Sequence, residues 1–115
     1  MFSIYLDDVR EAPEDYVRVT TVEQCCMLLA NNPGRVDVLS LDNDLGEPGI
    51  DKEGRSIPYW IEEQSLYYGI NLWPRMIRIH SANPVAREYM MGVISRYGPY
   101  RYDANESAFI DDSRF

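Results

Sequence analysis

Two short apolar runs, each closing on a pair of acids, constrain this chain more than any other feature. The first is Ile4-Tyr5-Leu6, followed by Asp7-Asp8-Val9-Arg10. The second is Val36-Asp37-Val38-Leu39-Ser40-Leu41, followed by Asp42-Asn43-Asp44. Apolar runs of this length read as buried strands. A strand that ends in carboxylates delivers them to one edge of its sheet. In an open α/β sheet that edge is the carboxyl end, where ligands bind. Side by side, two such strands gather Asp7, Asp8, Asp42 and Asp44 around one point. That arrangement is unfavourable unless a cation or shared protons offset the charge. The sequence therefore predicts a metal and phosphate site.

The remaining chain alternates strand and helix. Strands are expected at 2–6, 16–19, 36–41 and 76–79. A helix capped by Thr20 or Thr21, with Glu23 or Gln24 placed for a capping box, runs to the stop signal Asn31-Asn32-Pro33-Gly34. A second helix spans about 56–68, with Pro58 in its first turn. A third runs from Pro84 to about Arg96 and is closed by Gly98-Pro99. Residues 100–115 read either as an extended arm or as a fifth strand around Phe109-Ile110. This alternation predicts right-handed crossovers and a mainly parallel α/β sheet of four to five strands, order 2-1-3-4(-5), with helices on both faces.

Composition narrows the class. The chain has 115 residues, the size of one domain, spanning 1–115. Its 19 acids against 11 bases leave a net charge of −8, which argues against duplex DNA, whose phosphates are met by Lys and Arg. A small phosphate ligand held by a few arginines remains compatible. Lys52 is the sole lysine. The adjacent Cys25 and Cys26 point to different faces of a helix and read as apolar residues in a reducing compartment. No apolar run reaches the ~20 residues that span a bilayer. A cytoplasmic protein with no membrane partner is expected.

Three strand ends carry polar clusters: Asp7-Asp8 with Arg10, Asp42-Asn43-Asp44, and His80-Ser81 with Asn83. The pattern is similar to that of response-regulator receivers, where carboxylates hold Mg²⁺ while a hydroxyl and backbone N–H groups meet phosphate oxygens. Receivers also carry a lysine after their fifth strand. Lys52 lies elsewhere, so Arg10, Arg87 or Arg101 would have to stand in, as a fork rather than a point charge. The strings LDDVREAP, LSLDNDLGE and IHSANPVAREYM more closely resemble the cyclic-phosphate processing receiver-like domains. The resemblance covers most of residues 4–91. It implies a small receiver-like, flavodoxin-like three-layer sandwich that binds or hydrolyses a cyclic phosphate on a nucleotide or RNA end. Asn43 stands where such centres often carry histidine, and an amide does not titrate.

Two function classes follow. In the first, a metal-dependent phosphoesterase holds Mg²⁺ or Mn²⁺ on Asp7, Asp8 and Asp42 or Asp44. His80 protonates the leaving alkoxide or deprotonates water, its protonated form favoured by nearby carboxylates. Arg10 and Arg87 neutralise the phosphate, and Ser81 and Asn83 help bind it. A variant uses Asp42 as nucleophile and Asp44 as acid. In the second class the same pocket binds a nucleotide, a phosphate ligand or a protein partner without turnover. A nucleic-acid mimic fits the charge but not its clustering at strand ends. Tyr59-Trp60 and Tyr67-Tyr68 read mainly as packing, with stacking on a base as the functional alternative.

Overall fold

A computed structural model describes residues 1–46 and 48–112. Its elements are β1 (Phe2–Leu6), β2 (Tyr16–Val19), α1 (Val22–Asn31), β3 (Val36–Leu41), a 3-10 turn (Ile50–Lys52), α2 (Ser56–Tyr68), β4 (Met76–Ile79), α3 (Pro84–Tyr97), β5 (Tyr100–Asp103) and β6 (Ala108–Asp111). The strands form one sheet in the order β2-β1-β3-β4-β6-β5. β1 pairs in parallel with β2 and β3, and β3 with β4. The expected order 2-1-3-4 and its parallel sense are present.

The helices begin and end on local chemistry. Thr21 caps α1 by accepting from the Gln24 N–H at 3.1 Å, and Gln24 Oε1 accepts from the Thr20 N–H at 2.8 Å. Asn83 caps α3, its Oδ1 accepting from the Ala86 N–H at 3.1 Å. α2 stops at Gly69, which takes the left-handed conformation a β-carbon would disfavour.

Strand alternation sorts the core. Ile4, Leu6, Leu39, Leu41, Ile77 and Phe109 pack in one cluster with Cys25 and Leu29 of α1, Ile57 and Ile61 of α2, and Met90 and Ile94 of α3. Val38, Met76, Ala108 and Ile110 form a smaller cluster that contains no helix residue. Among the described residues all three helices therefore pack against the first cluster and none against the second. The reason lies in the β1–β2 connection: residues 7–15 make that crossover without forming a helix.

The tail adds two strands. Phe109-Ile110 sits in β6, which pairs antiparallel with β4 and with β5. The connection between β5 and β6 is a short turn, and short turns join only antiparallel strands. Asp103 Oδ1 accepts from the Asn105 N–H at 2.9 Å within it. The Tyr100 hydroxyl donates to the Pro74 carbonyl at 2.5 Å and ties β5 to the segment that leads into β4. Residues 113–115 of the expected arm lie outside the described residues. No helix among the described residues is long and apolar enough to cross a membrane.

Candidate functional site

The sheet ladder runs one residue beyond each central strand and sets three side chains in a row. The Asp7 N–H donates to the Val19 carbonyl at 3.0 Å, that of Asp42 to Leu6 at 3.0 Å, and that of His80 to Leu41 at 2.9 Å. Asp7, Asp42 and His80 are therefore neighbours at the carboxyl edge. Asp8 follows in the turn. Carboxylate oxygens of Asp7, Asp8 and Asp42 lie within 4.8 Å of one another. The loop after β3 closes over this group. Gly46 has φ +76°, and a β-carbon there would stand 3.0 Å from Asp8 Oδ2.

Asp7 is buried, with 1% of its surface exposed, and every contact stabilises its charge. Oδ1 accepts from the N–H groups of Val9 and Arg10, both at 2.8 Å. Oδ2 faces Arg10 Nη1 at 3.3 Å and His80 Nε2 at 3.1 Å. Burial by itself raises the Asp7 pKa. The two backbone donors and His80 outweigh it, so the carboxyl titrates below its ordinary value. Asp42 moves the other way. Burial and then the charge of Asp7 raise its pKa, against the Asn43 N–H that donates to its Oδ1 at 2.8 Å. Such a split is the electrostatic mark of crowded carboxylates.

His80 is held on every side. Nε2 meets Asp7 Oδ2, Nδ1 meets Ser40 Oγ at 2.7 Å, and the ring stacks on Tyr5 with centroids 4.2 Å apart and planes 3° from parallel. Arg10 Nη1 donates to the His80 carbonyl at 3.0 Å. The carboxylates do favour the protonated ring, as expected, but burial outweighs them. Burial lowers the His80 pKa by more than Asp7 and Asp42 raise it, so the ring rests neutral at neutral pH.

The other expected site residues are held by contacts outside this group. Asp44 is exposed, its Oδ1 accepting from Asn43 Nδ2 at 3.2 Å. Ser81 is buried and accepts from the Asn83 N–H at 3.1 Å, while Asn83 is spent on capping α3. Arg87 Nη1 donates to the Ile79 carbonyl at 2.7 Å. All three brace the β4–α3 turn. Arg101 lies on the edge strand β5, separated from β3 by β6 and β4. Lys52 pairs with Glu23 at 2.5 Å. Asn43, fully buried, clasps the loop: its Oδ1 accepts from the Arg55 N–H at 3.0 Å and its carbonyl from the Gly54 N–H at 2.9 Å.

Sequence reasoning missed Ser40 and Tyr5. The available signal was a hydroxyl inside the otherwise apolar Val38-Leu39-Ser40-Leu41. A cavity of about 510 Å³ lies away from Asp7, Asp8 and Asp42. It lies on the helix layer, where Tyr59, Trp60 and Tyr89 line it. Tyr67 and Tyr68 are exposed near the end of α2.

The donor set suits a hard divalent cation: three carboxylates offer oxygen alone, the preference of Mg²⁺ and Mn²⁺. A parallel sheet ordered 2-1-3-4, with acids after its first and third strands, defines a receiver-like domain. The model of the cyclic-phosphate processing receiver domain matches residues 2–96, and the chain belongs to that family. No curated protein and no solved structure shows significant similarity to it.

Proposed function

We propose that the domain is a divalent-cation-dependent phosphoesterase that opens a cyclic phosphate on a nucleotide or RNA end. The observation that carries this reading is the convergence of Asp7, Asp8 and Asp42 within 4.8 Å beside His80 and Arg10. Membership of a family described by cyclic-phosphate processing supplies the substrate class. Asp7, Asp8 and Asp42 would hold Mg²⁺ or Mn²⁺, which on binding supplies Lewis-acid polarisation of a phosphoryl oxygen and a more acidic water. Burial first, and then the neighbouring Asp7 charge, raise the Asp42 pKa, a cost that a bound cation would relieve.

Arg10 is placed to meet the phosphate. Its described contacts to Asp7 and His80 run through Nη1, and a guanidinium has further donors on Nε and Nη2. Asp44, exposed at the rim, would accept a proton from the attacking water on its second carboxylate oxygen and return it to the leaving oxygen. That oxygen stays tethered when a cyclic phosphate opens, so one acid suffices. His80 holds Asp7 in place.

The test is hydrolysis of 2′,3′-cyclic and 3′,5′-cyclic nucleotides with Mg²⁺, with Mn²⁺ and with chelator. Cation-dependent opening of one class supports the proposal. A second reading, a binding domain without turnover, is favoured by one observation: both His80 nitrogens are already engaged. Tight cation-dependent binding with no product selects it.

A further inference from the structure

Ser40, His80 and Asp7 form a continuous hydrogen-bonded chain, and the partners fix the direction of its protons. Asp7 already accepts from the Val9 and Arg10 N–H groups and from Arg10 Nη1, so it faces His80 as an acceptor. A singly protonated ring must therefore carry its proton on Nε2, facing Asp7 Oδ2 at 3.1 Å. Nδ1 is then an acceptor, and the Ser40 hydroxyl at 2.7 Å donates to it. The opposite tautomer would set the Nε2 lone pair against a carboxylate oxygen.

Two geometries place a serine beside a histidine and an aspartate, and burial separates them. In a nucleophilic triad the serine faces Nε2, the aspartate faces Nδ1, and the hydroxyl opens onto substrate. Here the two nitrogens are exchanged, and Ser40, in the middle of the sheet, is 4% exposed. No phosphorus atom reaches it. Its register neighbours are Tyr5 of β1 and Arg78 of β4, and Tyr5 stacks on the imidazole it serves. The whole arrangement acts on the orientation of one carboxylate oxygen.

We infer that Ser40 is a positioning residue of the cation site: through His80 it fixes Asp7 Oδ2 toward the point where the three carboxylates converge. The inference rests on the cation reading proposed above. Losing Ser40 removes the partner that holds Nδ1, so the ring can rotate, its Nε2–H leaves Asp7 Oδ2, and the ligand set scatters. Second partners of this kind typically change metal affinity by about 10- to 100-fold.

His80 is the only histidine, so its ring nitrogens give an unambiguous ¹⁵N spectrum. The experiment measures that spectrum together with Mn²⁺ affinity from the free-ion electron paramagnetic resonance signal. It compares the unaltered protein with Ser40→Ala and Ser40→Thr, and a thermal melt normalises each to the folded fraction. The expected result is a protonated Nε2 in the unaltered protein, Mn²⁺ affinity weakened about tenfold or more in Ser40→Ala, and recovery in Ser40→Thr, which keeps the hydroxyl. Unchanged Mn²⁺ affinity in folded Ser40→Ala overturns the inference. So does a protonated Nδ1 in the unaltered protein, a result that needs no variant to fold. Failure of the underlying reading looks different: the unaltered protein then binds no Mn²⁺ at all. Turnover enters neither measurement, so the role of Ser40 is decided even in a catalytically silent domain.

Discussion

His80 changes most between sequence and structure. Its place after Ile77-Arg78-Ile79 and before Ser81 marks it as a candidate acid opening onto an acidic crevice. In the fold its burial lowers the pKa and both nitrogens are bonded. The two roles predict different variants. A lost general acid costs ~10² to 10⁴ in rate and leaves cation binding intact. A lost anchor for Asp7 weakens cation binding itself. We expect His80→Phe, which keeps a ring to stack on Tyr5 but removes both nitrogens, to lower Mg²⁺ affinity about tenfold or more. Calorimetric titration against Mg²⁺ decides the matter. An unaltered affinity with lost turnover would restore His80 to the chemistry.

At the scale of elements, the site depends on how the loop after β3 is pinned to the start of α2. Gly54 is the tightest point. A β-carbon there would lie 1.7 Å from the Asp42 carbonyl oxygen, a backbone atom that cannot swing aside. Gly54→Ala should therefore separate the two segments, breaking the Gly54–Asn43 hydrogen bond and displacing Asp42. Overpacking of this kind typically costs about 1–3 kcal/mol. The expected outcome is a lower denaturant midpoint together with a weaker Mg²⁺ response. Asn83→Ala is the contrasting case. It removes the α3 cap at a cost of about 1 kcal/mol and touches no carboxylate of the cluster. It should reduce stability while leaving Mg²⁺ affinity unchanged. Equal Mg²⁺ losses in both variants would mean that general loosening, not the position of Asp42, governs the site.

For the molecule as a whole, the carboxylate edge should couple stability to cations and to pH. A ligand that binds only the native state raises the melting temperature. Mg²⁺ should do so here, and Asp8→Asn and Asp42→Asn should each abolish the shift. Without metal, Asp42→Asn should melt at or above the unaltered protein, because it removes charge from a crowded site. A sharp fall in both variants would instead assign these residues structural turn roles.

The pH dependence has two limbs of opposite sign. Asp7 has a lowered folded pKa, so its stabilisation is present above the ordinary carboxylate pKa and is lost as pH falls through the folded value. Asp42 has a raised folded pKa and opposes folding while ionised, a penalty relieved as pH falls through that raised value. Mild acidification should thus first relieve Asp42 and stronger acid then unfold the domain through Asp7. Chemical melts across pH check the order: Asp7→Asn should flatten the acid limb, and Asp42→Asn the limb above it.

Local patterns carried much of this molecule. The bounds of β1 to β4, the cap at Thr21, and the parallel order 2-1-3-4 follow from apolar runs, turn residues and crossover length. These are near-neighbour effects written in consecutive residues. The same runs marked Asp7, Asp8 and Asp42, because a strand end fixes where its next residue goes. The tertiary structure alone decided what depends on which surfaces meet. It packed all three helices against one core cluster, since residues 7–15 cross without forming a helix. It turned the tail into an antiparallel hairpin beside β4. It also sent Ser81, Asn83 and Arg87 to their own turn and brought Ser40 to His80 across 40 residues of chain. A hydrogen bond between adjacent strands depends on sheet register and side-chain direction, and neither is encoded in the residues on either side of it.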